Sequence, residues 1–462
     1  MKRRRTAVLR VVAITAVVLA IAAAAGTTRD AAAALPPGNT VAQWNKIAED
    51  TVVGSGTFQS EGLIYMAYAS AAVYDAVVAI EGGFEPYGPA RSAPEGASVD
   101  AAVVEAAYRT LWAFFPPEAC NPNSPPAVYE FCLAVRPTLY AYYVEALAAI
   151  PPVQAKTDGQ AVGLQAANDI IALRNGDGRM TPIAVSTEFP TLPPGPGVWR
   201  LTPPFAPPQV PWVGDVRRFV LGGVDQFLPD PPPLLQSAEW VEAFNEIKAY
   251  GGTTSTARSE GETRIARFWS ANVIRQYNQV GRDLGAGTDL LKAARILAMV
   301  DLVGADALMS ALYSKYHYLF WRPMTAIDPS AVVADGFGPV PGFDDGNPST
   351  AEETGWRPLL TTPNHPEYPA AHGVITSAMA EVFQTFLGTN QIDLDIYGFD
   401  PAGPNGNLNA VRHFDRANEL RQEIIDARLW GGLHYHFSSV AGVVLGRDVA
   451  NYDLRHAFRP VG

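Results

Sequence analysis

Apolar residues recur along this chain at the three- and four-residue spacing of helices, and sustained two-residue alternation is absent. The pattern predicts helices over residues 41–51, 62–80, 99–115, 127–150, 153–173, 238–249, 263–279, 290–318, 372–386, 412–430 and 434 to about 455. Small residues such as Ala67, Ala69, Ala71 and Ala72 suit close helix packing. The expected fold is therefore all-α, a large assembly of two packed helical bundles with little or no sheet. Proline-rich stretches at 203–211 and 229–233 mark a seam. It divides an N-terminal helical region, 35–225, from a C-terminal helical bundle, 226–462. So long a chain exceeds the size that one hydrophobic core usually serves.

The first residues break the helical-bundle pattern. Lys2, Arg3, Arg4 and Arg5 precede a mostly apolar run over 11–25, and alanines follow. This reads as an export signal over 1–34, too short for a comfortable membrane span. Its removal takes away six cations and one carboxylate, moving the formal charge from −12 to −17. So acidic a chain is not expected to bind nucleic acid or anionic membranes. The most apolar later segment, near 296–313, is interrupted by Asp301 and Asp306, so no membrane span is expected after the signal, and the location expected is secreted or extracytoplasmic. Cys120 and Cys132 are the two cysteines; a disulfide suits an exported protein, and two buried thiols fit the sequence about as well.

Candidate chemistry gathers in three short stretches of the last third: 315–323, 369–372 and 428–434. They bring Lys315, Arg322 and Arg428, with His372 and His434, into an otherwise acidic chain. Several fixed cations with imidazoles nearby are what a tetrahedral oxyanion requires. Lys315 and Arg322 are two helical turns apart and would share a face on a helix. Pro323 biases Arg322 toward an extended backbone, which puts it at a helix end. A helix beginning near Ala370 would aim backbone N–H groups, including that of Ala371, at a bound anion. Gly431 and Gly432 should interrupt a helix and let the backbone approach a ligand. Asp344, Asp345, Gly346 and Asn347 lack the calcium-loop ligand pattern and read as an acidic turn.

The order and spacing of these stretches, Lys-x6-Arg-Pro, Pro-x-x-His and Arg-x5-His, resemble the signature of the type 2 phosphatidic-acid-phosphatase superfamily. His365 to His372 and Gly431 to Phe437 are similar to stretches of its vanadium-dependent haloperoxidase branch. The resemblance implies that Lys315, Arg322, Arg428 and the Ala371 backbone bind vanadate, a site that phosphate can also occupy. It makes His434 the apical metal ligand and His372 the acid–base, with His365 as a possible pocket residue. Hydrogen peroxide, a halide and a small organic acceptor would be the substrates, and a homo-oligomer is possible. On the same scaffold stands a phosphatase hydrolysing phosphate monoesters through a phosphohistidine at His434, and beside it a non-catalytic oxyanion-binding relic. The chain also departs from the pattern: Ala370 replaces a serine, Ala371 a glycine, His436 an arginine, and Ser438 the aspartate that supports the apical histidine.

Overall fold

The computed structural model describes residues 34–180, 195–335, 345–401 and 408–461. The export-signal reading falls on residues outside these, apart from its last position, and Asp344 also lies outside them. Among the described residues there are thirteen α-helices and one two-stranded sheet. The first five helices are α1 (Thr40–Gly54), α2 (Gln59–Glu81), α3 (Val99–Phe114), α4 (Pro126–Ala148) and α5 (Gln154–Leu173). After an irregular stretch come α6 (Ala238–Tyr250), α7 (Glu260–Phe268), α8 (Val273–Gly285), α9 (Leu290–Tyr318) and the short α10 (Pro323–Ile327). The chain closes with α11 (Ala371–Leu387), the hairpin β1 (Gln391–Gly398) and β2 (Ala410–Arg416), then α12 (Ala417–Trp430) and α13 (His436–His456).

Local chemistry sets the helix starts. Side chains of Asn39, Ser98, Ser237, Ser259, Asn272 and Asp289 each accept a backbone N–H in the first turn of the helix that follows. This capping corrects the single helix expected over 263–279. Asn272 Oδ1 takes the N–H of Ile274 at 3.0 Å, so α8 begins afresh after α7 has ended at Phe268. The hairpin is the second correction. Residues 412–416, expected as the start of a helix, pair antiparallel with β1, Leu394 facing Phe414 and Tyr397 facing Val411. Ile392, Ile396 and Phe414 turn inward, and the rest of the ribbon is largely polar. Its buried alternation is too short to stand out in a sequence pattern.

One buried core runs from Val41 to Phe458, joining residues from both sides of position 225. A second, smaller core centres on Trp240, Phe320, Trp321, Tyr368 and Tyr435. The axis of the large core is α9, packed lengthwise against α2. Both helices are long and apolar enough to cross a membrane by length and composition, including the segment expected to be excluded by its aspartates. Those apolar windows are 89% and 94% buried inside the protein. Asp301 and Asp306 tie α9 to its neighbours. Asp301 accepts from Ser70 and from Asn278, the latter at 2.8 Å. Asp306 accepts the backbone N–H groups of Phe219, Val220 and Leu221 at 2.7–3.1 Å. The proline-rich connection is thereby strapped onto the bundle, with further ties from Trp199 N to Leu319 O (2.7 Å) and Gln209 N to Asn364 O (2.8 Å). Cys120 and Cys132 are joined by a disulfide, Cα–Cα 5.8 Å.

Candidate oxyanion site

Three breaks in helical structure bring the site together. At the first, α9 ends at Tyr318 with Leu319 in the left-handed conformation (φ 48°). Lys315 lies in the last turn of α9, whereas Arg322 is extended (φ −77°, ψ 152°) and precedes Pro323 of α10. The two cations therefore do not share one helix face; a turn brings Arg322 back toward Lys315. At the second break, Ala370 precedes α11 without a side-chain cap, so the positive end of that helix faces the site at Ala371 and His372. At the third, Gly431 ends α12 and Gly432 adopts φ 73°. A Cβ on Gly432 would stand 2.4 Å from Gly251 O, so only glycine lets the chain turn here toward His434.

The cations are buried without the acids that normally accompany them. Lys315 Nζ donates to the carbonyls of Pro366 (3.0 Å) and Glu367 (2.7 Å). Arg322 donates to the carbonyls of His365 and Leu433, each at 3.0 Å. Arg428 donates to the Trp269 carbonyl at 3.3 Å, and its buried Nε has no acceptor among the described residues. Against three cations stands the carboxylate of Glu367 alone among the described residues. Burial drives Lys315 well below its usual range, helped by Arg322 and Arg428. Burial also lowers Arg322 to about 10 and Arg428 to about 9. Unpaired buried charge is costly, and a bound anion is what relieves it.

The imidazoles are held neutral. His434, His365 and His372 all fall well below the usual histidine range, first through burial and then through the surrounding cations. The His434 tautomer follows from its neighbours. Arg322 Nη1 lies 3.2 Å from Nε2, and a guanidinium can only donate. Nε2 therefore presents its lone pair, and Nδ1 carries the proton, which it donates to Glu367 Oε1 at 2.8 Å. His365 sits against Arg322 Nη2, 3.0 Å from Nδ1.

A small cavity of about 40 Å³ lies among Ala371, His372, Arg428, His434 and His365. On the order of 10–15 Å³ holds one water centre, so the space is of the size of one small oxyanion. The predicted residues Lys315, Arg322, Ala371, His372, Arg428, His434 and His365 are thus all brought together, by lining the cavity or by direct contact and charge. His317 and His456 are exposed and apart from it. Two contributions were not legible in sequence. Phe58, Gln59 and Ser60, at the start of α2, cover the cavity from the N-terminal half, with the Phe58 ring 6.1 Å from that of His365. Glu367 supports His434; its signal was its place between two motif residues, which pointed to no role. Elsewhere, Asp345 accepts from Trp240, Asn347 and Thr350, in keeping with a structural turn.

Residues 295–462 match the family model of the VCPO second helical-bundle domain. A vanadium chloroperoxidase of Curvularia inaequalis is 26% identical over 319 residues, 56% of this chain. The match spans only 50% of that relative's length. A bacterial vanadium-dependent iodoperoxidase structure aligns with TM-score 0.68 at 21% identity, covering 93% of this chain and 99% of that one. The holo form of a bacterial vanadium-dependent chloroperoxidase aligns with TM-score 0.62 at 13% identity, covering 92% of this chain and 97% of that one. The chain therefore has the helical-bundle fold of the vanadium haloperoxidases, and the segment holding Lys315, Arg322, His372, Arg428 and His434 is the one that the VCPO second-bundle model matches.

Proposed function

We propose that this chain is an exported haloperoxidase-like enzyme that holds vanadate and uses hydrogen peroxide to oxidise a halide. The observation that carries the reading is the buried excess of positive charge around a cavity of oxyanion size, with Arg428 Nε lacking an acceptor among the described residues. The donor set fits the group: Lys315, Arg322, Arg428 and the Ala371 backbone would hold its oxygens, and His434 Nε2, unprotonated beside Arg322, would be its protein ligand. Vanadate bound there would supply a Lewis acid that activates peroxide toward a nucleophilic halide without changing oxidation state.

The protein's own part is to bind, orient and move a proton. The cations neutralise charge on the oxygens in a site largely closed to water, where such interactions are strong. His372, neutral and in the first turn of α11, would serve as the acid–base group that accepts a proton from peroxide and gives it back to a leaving hydroxide as water. The Cys120–Cys132 disulfide supports an extracytoplasmic setting.

The same Nε2 lone pair suits attack on phosphorus, which keeps a phosphomonoesterase as the second reading. The similarity of the fold and of the 295–462 segment to vanadium haloperoxidases favours the first. Purified protein assayed in parallel for vanadate- and bromide-dependent peroxide consumption, and for phosphate-ester hydrolysis without vanadate, separates the two. Arg428→Ala should weaken vanadate binding about 10–100-fold, the worth of a charge-assisted hydrogen bond. Unchanged affinity by calorimetry would remove the anion from this site.

A further inference from the structure

We infer that Glu367 is the positioning residue that fixes the proton of His434 on Nδ1 and so leaves Nε2, at the cavity wall beside Arg322 Nη1, unprotonated. The inference rests on the oxyanion-site reading above and adds a residue to it.

Glu367 lies in the segment between α10 and α11, far in sequence from His434, and is completely buried. One oxygen, Oε1, accepts from His434 Nδ1 at 2.8 Å and from the backbone N–H of Tyr435 at 3.1 Å. It therefore grips both the ring and the chain next to it, fixing tilt as well as tautomer. The other end of the arrangement is held too. Glu367's own carbonyl receives Lys315 Nζ, and its backbone N–H donates to Phe320 O at 2.9 Å. The residue is thus held by its backbone and by Oε1, while Oε2 has no partner among the described residues.

Ser438 completes the argument. It stands four residues after His434, in the first turn of α13, and is completely buried, its hydroxyl near the Glu367 carboxylate but without a hydrogen-bond partner among the described residues. A longer acid at 438 would meet Glu367 in the same space. The small serine and the glutamate are therefore alternatives for one job: a single carboxylate against Nδ1, supplied here by the segment before α11 and not by α13. Charge agrees with this count. A second buried carboxylate would cancel cationic charge that the anion needs, while none would leave Nδ1–H without an acceptor.

The test uses the full-length protein, with orthovanadate and inorganic phosphate as separate probes. In anion-free wild type, ¹⁵N histidine spectra should show the His434 proton on Nδ1 and an unprotonated Nε2. Glu367→Ala should mix the tautomers and weaken vanadate about 10–100-fold, as loss of such a partner does for a ligating histidine. Phosphate held by charge alone should bind as well as before or more tightly, because an acid has left the cradle. Glu367→Gln keeps the shape if the alanine variant fails to fold, and should move both affinities in the same directions. Glu367→Ala with Ser438→Asp should restore vanadate affinity, whereas Ser438→Asp alone should lower it. A His434 proton found on Nε2, or parallel changes for both anions with no rescue, would overturn the role of Glu367. Wild type that binds neither anion would instead defeat the site reading, and the nitrogen spectra would still decide the tautomer.

Discussion

His372 shows how far one residue's chemistry depends on its surroundings. Burial first, then the charges of Arg428, Lys315 and Arg322, hold it well below the usual histidine range. A group with a depressed folded pKa contributes stability that is fully present above its unfolded value, near 6.5, and is lost as pH falls below it. Raised carboxylates such as Glu367, at about 7, act in the opposite direction, so total stability against pH is not diagnostic. The difference between two proteins is. His372→Gln removes the titrating group, so without oxyanion it should lose less stability than wild type between pH 7.5 and pH 5.5, by no more than ~1.4 kcal/mol per pH unit. Denaturant midpoints of the two proteins that run parallel across that window would show His372 to be accessible to protons at no cost.

At the scale of elements, close helix contact is set by glycines whose missing Cβ atoms make room for a neighbouring backbone. On α13, a Cβ at Gly442 would stand 2.5 Å from Ala370 O, and one at Gly446 would stand 1.9 Å from Val374 O. These contacts fix α13 against the first turn of α11, which carries Ala371 and His372. The same device joins α5 to α3, where a Cβ at Gly159 or Gly163 would stand 2.2 or 2.3 Å from the carbonyl of Ser98 or Ala102. Gly446→Ala cannot be absorbed by a flexible side chain. It should cost about 3 kcal/mol, the upper end of overpacking, and loosen anion binding with it. Gly261→Ala is the control, since its Cβ would meet only Ser259 Oγ at 3.7 Å. It lies within α7 and should stay within ~1 kcal/mol of wild type, on the stabilising side. Equal destabilisation of the two variants in chemical denaturation would discount the helix contact as the cause.

Across the whole molecule, the N-terminal half is part of the site's support. It covers α9 with α2, supplies Ser70 to Asp301, and sends Phe58, Gln59 and Ser60 over the cavity. The connection at 219–221 satisfies Asp306. Residues 226–462 alone would expose the apolar flank of α9 and strand two carboxylates without these partners. That segment should retain helix signal but give no sharp thermal transition and no vanadate binding, whereas the full chain unfolds in one cooperative step. A cooperative transition and wild-type affinity in the isolated segment would show that the C-terminal bundle is self-sufficient.

The sequence by itself determined the helical character of the chain, most helix positions, and the chemistry of the cradle. Apolar spacing follows from the helix period, and Lys315, Arg322, His372, Arg428 and His434 lie close to local breaks that Pro323, Pro369 and the Gly431–Gly432 pair announce. It did not determine the break before Asn272 or the β1–β2 ribbon, because a cap and a strand pairing competed with periodicity and won. The partner of His434 was the larger omission. Ser438 showed that the expected acid was missing from its own helix, but no local pattern relates Glu367 to His434, which is 67 positions away. Only tertiary folding, by packing the segment before α11 against the turn before α13, decided which carboxylate meets that ring. It likewise closed the cavity with the start of α2, since contacts between distant segments depend on how whole helices pack and leave no spacing to read.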